Sequence, residues 1–326
     1  MLRMDPFHVE RPASVEEAVA LLAAHGPKAR VLAGGTDLLP NLKHGLHEPE
    51  LLISIGGLRA LKGVRDLGER LELGALTNLH ELEQHPLVQQ HVPGLARAAS
   101  QVAGPQLRRM GTLGGNLCLD TRCLYYNQTH FWREALGYCL KKDGTVCHVV
   151  AGGKKCVAAA SNDTATMLVA LDAEVELRSQ AGARRMSLGD FYVADGARTT
   201  ERRDDELLVA VSVKKGGPHR REGYAKLRHR ESIDFPLLSV AVVVELDERG
   251  LIAAARLVVS ALQARPNRVP LDALVGRPLD DATAAEMGRL AYARCSPMTN
   301  LADDPAWRRD MVPVMVRRAV ASSSHV

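Results

Sequence analysis

Charge of one sign and long apolar stretches are both scarce in this 326-residue sequence. The 42 lysines and arginines face 38 aspartates and glutamates, and the resulting net charge of +4 gives no support for nucleic-acid binding. No apolar run approaches the roughly 20 residues that span a bilayer, and the N-terminus lacks the apolar core of a signal peptide. We therefore expect a cytoplasmic protein that binds neither nucleic acid nor membrane.

Several common ligand-binding motifs are also missing. The sequence contains neither the GxGxxG fingerprint of dinucleotide-binding folds nor a P-loop, and no two cysteines are spaced as CxxC. The compact cysteine spacing of bacterial ferredoxins is absent as well. Any cofactor site therefore has to be sought in other patterns.

Cysteine has the most uneven distribution of all residue types. Five of the six cysteines lie between Cys118 and Cys156, with four, fifteen, seven and eight residues between successive ones. In a reducing compartment clustered thiols are more often metal ligands than disulfides, so the segment predicts a metal centre, with iron–sulfur and zinc both open. A group of inert buried thiols is the alternative, and the adjacent His148 is a further candidate ligand.

Two glycine loops each follow an apolar run. Gly34-Gly35 precedes Thr36, and Gly114-Gly115 follows Thr112, each at a point where we expect a strand to enter a turn. Glycine lets successive backbone amides approach an anion, and the threonine hydroxyls add donors. Each loop alone is more typical of an ordinary tight turn, but the pair could hold the two phosphates of one dinucleotide.

The apolar patterns predict a mixed α and β protein. Ser14 and Glu17 form a capping box before a helix, and residues 30–33 and 51–55 are predicted strands of a βαβ unit. Further strands are predicted at residues 71–76, 173–177, 206–213, 223–227, 237–245 and 252–259, and further helices at about 78–86, 163–171 and 280–295.

Four short segments resemble a known family. They are residues 33–38 (AGGTDL), 112–117 (TLGGNL), 168–172 (LVALD) and 224–228 (YAKLR), the last followed by Asp234-Phe235-Pro236. These segments are similar to the FAD-binding medium subunits of the xanthine oxidase, or molybdenum hydroxylase, family. The resemblance implies an α+β protein with an FAD-binding fold of the vanillyl-alcohol-oxidase type in two subdomains, residues 1–58 and 59–217. It also implies a C-terminal α+β domain of the CO dehydrogenase flavoprotein type at residues 218–326.

The same resemblance implies the FAD contacts. They comprise both glycine loops, the strand before the first loop, one acceptor and one cation: Arg30, Val31, Leu32, Ala33, Gly34, Gly35, Thr36, Asp37, Gly111, Thr112, Gly114, Gly115, Asn116, Asp163 and Lys226. Backbone amides of the two loops are expected to hold the pyrophosphate. The cofactor carries the redox chemistry, and no residue is a candidate for acid–base catalysis on a substrate.

About forty residues, 118–157, are inserted between the second glycine loop and Asp163, where most family members have a short turn. The insertion resembles that of family members that reduce 4-hydroxybenzoyl-CoA, in which it carries a [4Fe–4S] cluster. The matching spacing implies Cys123, Cys139, Cys147 and Cys156 as the ligands and leaves Cys118 outside them.

By this resemblance the chain is the electron-input subunit of a molybdenum-containing 4-hydroxybenzoyl-CoA reductase. Ferredoxin would reduce the cluster, and FAD would pass electrons to a small [2Fe–2S] subunit and a large molybdopterin-binding subunit, in a dimer of heterotrimers. Candidate residues for attracting an acidic ferredoxin are Arg133, Lys141, Lys142, Lys154 and Lys155. Two alternatives stay open: the FAD subunit of a related enzyme that oxidises another aromatic or N-heterocycle, and a cluster-binding redox sensor.

Overall fold

The computed structural model describes residues 2–323, which form three β-sheets with helices packed on them. Met1 and residues 324–326, which the predicted first and last domains include, lie outside this range. Three single-turn 3-10 helices, Gly26–Lys28, Arg59–Leu61 and Asp272–Leu274, connect longer elements. Over the described residues, none of the helices is both long and apolar enough to cross a membrane.

The N-terminal part is a small parallel sheet covered by one helix. Its elements are β1 (His8–Glu10), α1 (Val15–His25), β2 (Ala29–Leu32), α2 (Leu38–Lys43) and β3 (Leu51–Ser54). The strand order is β1-β3-β2, and both outer strands run parallel to β3. Ser14 accepts a hydrogen bond from the Glu17 amide at 3.1 Å, so the predicted cap of α1 is confirmed. The sequence does not predict β1, because its three residues are exposed and carry no apolar pattern.

The middle part contains a five-stranded antiparallel sheet and most of the short helices. Its elements are β4 (Val64–Asp66), β5 (Arg70–Gly74), α3 (Leu79–Gln84), α4 (Pro86–His91), α5 (Pro93–Ser100), α6 (Pro105–Met110), α7 (Leu113–Leu117), α8 (His130–Ala135), α9 (Asp163–Ala170), β6 (Glu174–Ser179), β7 (Gly182–Ser187), α10 (Leu188–Phe191) and β8 (Leu207–Lys214). The strand order is β4-β5-β8-β6-β7. Asn78 caps α3, which ends before Pro86 as predicted.

The second glycine loop differs from its prediction. We expected a strand before Gly114-Gly115, but the preceding element is the helix α6, and the glycines themselves lie inside the short helix α7. Thr112 caps α7 by accepting a hydrogen bond from the Gly115 amide at 3.1 Å. Glycine is a poor helix former, so the local sequence points to a turn, and the cap and tertiary contacts override that preference.

The C-terminal part is a four-stranded antiparallel sheet. Its elements are β9 (Arg220–Leu227), β10 (Leu238–Leu246), β11 (Ile252–Ser260), β12 (Asn267–Val269), α11 (Asp281–Arg294) and α12 (Pro305–Ser322). Alternate residues of β10 face opposite sides of the sheet, as a strand requires. Val240 and Val242 pack in one core with α11 and α12, whereas Ala241 and Val243 belong to the core that contains α9. The sheet therefore joins the C-terminal helices to the middle part.

The three sheets occupy residues 8–54, 64–214 and 220–269. The boundaries at residues 58 and 217 stay a prediction.

Candidate cofactor sites

The two glycine loops are in direct contact, although about eighty residues separate them. A Cβ atom on Gly34 would lie 1.9 Å from the carbonyl oxygen of Met110 and 3.2 Å from the Cα atom of Gly111. Backbone therefore packs on backbone at this point, and only glycine fits at position 34. Thr36 lies on the same side, because its hydroxyl oxygen would be 3.5 Å from a Cβ atom on Gly111.

The first glycine loop has backbone amides to offer a ligand. Within residues 2–323, no acceptor is hydrogen-bonded to the amides of Gly34, Gly35, Thr36 or Asp37. Thr36 is exposed and the other three residues are half-buried, so the loop is open to solvent. Consecutive free amides in a loop favour an anion such as a phosphate. The preceding predicted contacts lie on β2 or just after it and are half-buried: Arg30, Val31, Leu32 and Ala33.

The second glycine loop uses its amides internally. The Gly114 amide donates to the Ala75 carbonyl at 2.8 Å, and the amides of Gly115 and Asn116 both donate to Thr112, at 3.1 and 2.9 Å. A Cβ atom on Gly114 would also lie 2.9 Å from the Ala75 Cβ atom. A ligand would have to replace these hydrogen bonds. The second glycine loop therefore offers a ligand fewer free amide donors than the first loop does.

Two other predicted contacts have protein partners near the loops. The Arg30 guanidinium donates to the carbonyl oxygens of Ala29 at 3.3 Å and Pro27 at 3.4 Å. The Asn116 side-chain oxygen accepts hydrogen bonds from the Thr164 amide at 3.1 Å and the Thr164 hydroxyl at 2.5 Å. Asn116 thereby fixes α7 to the start of α9.

The predicted acceptor Asp163 and the predicted cation Lys226 are brought together, but they face each other. The Lys226 ammonium lies 2.8 Å from one Asp163 carboxylate oxygen, and the Tyr224 hydroxyl donates to the other at 2.6 Å. The Lys226 ammonium also donates to the Gln101 carbonyl at 3.0 Å. Both charged side chains are buried, so the pair connects α9 to β9 and is already satisfied without a cofactor.

Asp37 connects the first glycine loop to the insertion. Its carboxylate accepts a hydrogen bond from Asn41 at 2.9 Å and lies 3.6 Å from the Arg122 guanidinium. Burial raises the pKa of Asp37 to about 6, and the nearby Arg122 only partly opposes this shift. The Arg122 guanidinium also stacks on the Phe235 ring, 3.9 Å from the ring centroid. Neither Arg122 nor Phe235 is recognisable as a site residue from the sequence, because only the folded chain brings these segments together.

The inserted segment is joined at its two ends and has a small apolar core of its own. Arg122 and Ala159 form a two-residue antiparallel bridge at its base, with N–O distances of 2.9 and 2.7 Å. Leu46 and Tyr126 are buried in the same apolar cluster as three of the cysteines. The insertion has the single helix α8 and is otherwise made of turns. The insertion therefore has an apolar core that includes three of its cysteines.

Four cysteines line one cavity, and they are Cys123, Cys139, Cys147 and Cys156. The empty volume of this pocket is about 290 Å³, part of which is open to solvent. Three of the thiols are buried and that of Cys147 is half-buried. Cys118, at the end of α7, is not among the described residues that line the cavity. The structure thus groups the four predicted ligands and leaves the fifth cysteine apart.

The chemistry of these thiols suits a positively charged metal group. Burial raises the pKa of Cys123 to about 11 and also raises the pKa of Cys156, so both are neutral near pH 7 unless a cation stabilises the thiolate. In the described part of the chain, no three His, Cys, Asp or Glu side chains converge to hold a single metal ion. A zinc site needs all its ligands at about 2.0–2.3 Å from one point. Four thiols around one cavity are also the ligand type of a Cys₄-ligated iron–sulfur cluster.

His148 also lines the cavity but already has a partner. Its Nε2 atom lies 2.6 Å from the Tyr138 carbonyl oxygen, and its ring lies 5.2 Å from the Tyr125 ring. The ring nitrogen that faces Tyr138 is therefore a hydrogen-bond donor. The four thiols remain the simplest ligand set.

The expectation that five basic residues attract an acidic partner is wrong for two of them. Arg133 is only 1% exposed and donates to two carbonyl oxygens at residues 44 and 45, and the Lys141 side chain is 5% exposed and paired with a carboxylate. Buried charges of this kind attract a partner far less than solvent-facing ones do. Lys142 is partly exposed, and Lys154 and Lys155 are exposed, so only these three remain candidates.

Together the mixed α and β fold, the free amides of the first glycine loop and the appended C-terminal sheet define a class: proteins that bind a phosphate-containing redox cofactor. Residues 5–214 match the family described as FAD binding domain in molybdopterin dehydrogenase, and residues 223–323 match the CO dehydrogenase flavoprotein C-terminal domain. The chain therefore belongs to the family of FAD-binding subunits of the molybdopterin dehydrogenases, also called the molybdenum hydroxylases. The predicted fold class is confirmed.

Relatives that are named for different substrates are similar to this chain in sequence, and a solved structure is similar to it in fold. The chain is 36% identical over 262 residues to the aldehyde oxidoreductase FAD-binding subunit PaoB of Escherichia coli K12, covering 77% of this chain and 81% of that one. It is 30% identical over 251 residues to the nicotinate dehydrogenase FAD-subunit of Eubacterium barkeri, covering 76% and 72%. A solved structure of carbon monoxide dehydrogenase from Hydrogenophaga pseudoflava superposes with a TM-score of 0.80 at 27% identity, covering 99% and 98%. The chain is thus an FAD-binding oxidoreductase subunit.

Proposed function

We propose that this chain carries both FAD and a [4Fe–4S] cluster and supplies electrons to a molybdenum-containing 4-hydroxybenzoyl-CoA reductase. The observation that carries the proposal is the grouping of Cys123, Cys139, Cys147 and Cys156 around one cavity, in an insertion closed by the Arg122–Ala159 bridge. The spacing of these four cysteines resembles that in the cluster-bearing insertion of family members that reduce 4-hydroxybenzoyl-CoA. Removal of a phenolic hydroxyl group needs strongly reducing electrons, and thiolate-ligated clusters reach sufficiently negative potentials.

Partners follow from the same proposal. The chain would assemble with a small [2Fe–2S] subunit and a large molybdopterin-binding subunit, as a dimer of heterotrimers. A reduced ferredoxin would supply electrons to the cluster. The exposed Lys154 and Lys155 immediately precede the ligand Cys156, which supports an approach of an acidic donor on this side of the insertion.

The FAD site uses the first glycine loop as its main phosphate holder. The amides of Gly34, Gly35, Thr36 and Asp37 would bind the pyrophosphate, because they lack protein partners within the described range. FAD, when bound, accepts and passes on electrons, while the protein positions it and adjusts its potential. The residues that lead into the second glycine loop pack against the first loop, and direct contacts of the second loop and of the Asp163–Lys226 pair with FAD stay a prediction.

The cluster assignment is tested by a pair of cysteine variants. Cys123→Ala removes one proposed ligand, so we expect the purified chain to lose its iron and retain FAD. Cys118→Ala is the matched control, because Cys118 belongs to the same segment but does not line the cavity, and it should retain both. Iron that survives in Cys123→Ala and disappears in Cys118→Ala would overturn the ligand assignment.

The substrate is tested on the complete complex. The complex purified through this chain should convert 4-hydroxybenzoyl-CoA to benzoyl-CoA when a chemically reduced ferredoxin is supplied. The family relationship to an FAD-subunit of nicotinate dehydrogenase supports a second candidate, in which the complex oxidises an N-heterocycle and electrons leave through this chain. Reduction of the flavin by an N-heterocycle, without turnover of 4-hydroxybenzoyl-CoA, would favour that candidate.

A further inference from the structure

A buried ammonium group lies next to the cysteine cavity. The side chain of Lys141 is only 5% exposed, and its Nζ atom is surrounded by oxygen atoms. It lies 2.6 Å from the Asp120 carboxylate, 2.5 Å from the Thr121 hydroxyl and 2.6 Å from the Gly196 carbonyl oxygen. Burying a charged group costs free energy. A lysine that several acceptors hold in a buried position is therefore expected to have a role other than keeping the protein surface soluble.

The lysine of this pair is part of the cavity wall, and its carboxylate partner is not. Lys141 lines the cavity together with the four cysteines, whereas Asp120 is not among the described residues that line it. Lys141 also lies over the Tyr126 ring, 4.5 Å from the centroid, and that ring forms another part of the cavity wall.

The next residue in the sequence points elsewhere. Lys142 lies 3.3 Å from Glu48 and 3.3 Å from Asp143, and it is not among the described residues that line the cavity. The two neighbouring lysines therefore differ in one respect: Lys141 lines the cavity of the four cysteines, and Lys142 does not. This difference supplies a matched control.

We propose that the Lys141–Asp120 pair sets the reduction potential of the cluster held by the four cysteines, with Lys141 raising the potential and Asp120 lowering it. This inference rests on the proposed [4Fe–4S] site. Reduction adds one negative charge to the cluster, and a fixed cation in a poorly hydrated environment stabilises that charge. Lys141 is a positioning residue in this account, because it neither ligates the cluster nor exchanges electrons.

The test is a potentiometric titration of the full-length chain, purified without oxygen and followed by the EPR signal of the reduced cluster. In Lys141→Met the ratio of reduced to oxidised cluster at a given ambient potential should fall by about tenfold or more, which is about 59 mV for a one-electron couple. Asp120→Asn should shift the potential in the opposite direction. Lys142→Met should leave it unchanged, because Lys142 is paired with Glu48 and Asp143 and does not line the cavity.

The outcomes separate this inference from the proposed function. A wild-type chain without iron would overturn both. An iron-containing wild-type chain whose potential is the same in Lys141→Met and Lys142→Met would overturn only the inference. If Lys141→Met loses its iron, Asp120→Asn decides alone: a more positive potential supports the inference and an unchanged one overturns it. Loss of iron from both variants would also overturn it, because the pair would then hold the segment together without setting the potential.

Discussion

Ion pairs with little exposure connect the segments around the two candidate cofactor sites. Each joins an acidic residue to a basic residue from another element or loop, and the pairs are Asp37–Arg122, Asp120–Lys141 and Asp163–Lys226. In the most buried of these pairs, Asp163–Lys226, removing one partner leaves a charge without compensation, which costs more than the intact pair contributes. The sequence could supply Asp163 and Lys226 as site residues, but their pairing depends on contact between α9 and β9, which no local pattern reveals.

The Asp163–Lys226 pair gives the first prediction. Lys226→Met should lower the free energy of unfolding by about 3–5 kcal/mol, because Asp163 would stay buried and unpaired. Urea denaturation of the purified chain measures this. Lys214→Met, at an exposed strand end, is the control and should change little. The double variant Asp163→Asn/Lys226→Met should recover part of the loss; a Lys226→Met loss below about 1 kcal/mol would contradict the buried-pair account.

Asp37 predicts a pH-dependent stability. The pKa of Asp37 is about 6 in the folded chain, above its ordinary value of 3.8, because burial disfavours the charged form. The folded chain therefore holds this proton more tightly than the unfolded chain, and stability falls as pH rises from about 4 to about 6. Asp37→Asn removes the effect, so it should be more stable than wild type by about 1–2 kcal/mol at pH 7 and equal to it near pH 4.

Asp66 provides a control for the Asp37 prediction, because its contribution to stability should change with pH in the opposite direction. A hydrogen bond from Lys215 holds the pKa of Asp66 below its ordinary value, so this carboxylate stabilises the fold at neutral pH and the benefit is lost as pH falls. Asp66→Asn should therefore be less stable than wild type at neutral pH. Urea unfolding midpoints at about pH 4 and pH 7 measure the stability of the two variants. Equal changes of stability with pH in Asp37→Asn and Asp66→Asn would refute the burial argument.

Among the elements, the short helix α7 and the contact of the preceding Met110 and Gly111 with the first glycine loop lie at the proposed flavin site. Local sequence signals predict α1, α3 and the strands of the C-terminal sheet, because caps and alternating apolar residues are visible along the chain. They fail for α7, where two glycines point to a turn, and for β7, whose residues are exposed or half-buried and show no apolar alternation. They also fail for α12, which contains Pro313 and is held by packing of Val312 and Val316.

Because Gly34 packs against the backbone of Met110 and Gly111, a methyl group added at position 34 should weaken flavin binding. Gly34→Ala would place a Cβ atom 1.9 Å from the Met110 carbonyl oxygen, so the loops would have to separate. Overpacking of this kind costs about 1–3 kcal/mol, and we expect flavin affinity to fall about tenfold while the fold persists. Flavin fluorescence titration of the apoprotein measures the affinity. Gly57→Ala is the control, since a Cβ atom there would meet nothing within 4 Å; equal affinities of the two variants would contradict the account.

On the scale of the whole molecule, the insertion is attached to the flavin region at several points. The Arg122 guanidinium lies against both Asp37 of the first loop and Phe235 of the C-terminal part, and the Leu124 amide donates to the Asn300 carbonyl at 2.8 Å. The insertion is therefore held against the rest of the FAD-binding subunit, an arrangement that suits electron transfer between FAD and the proposed cluster. Cysteine spacing could predict the thiol group from the sequence, whereas the attachment depends on residues from three distant segments.

The central claim is that one chain holds FAD and a four-iron cluster together. The most direct measurement is the content of flavin, iron and acid-labile sulfide in the chain purified without oxygen, with an EPR spectrum after reduction. We expect about one FAD, about four irons and about four sulfides per chain. Flavin without iron, or zinc in place of iron, would contradict the claim.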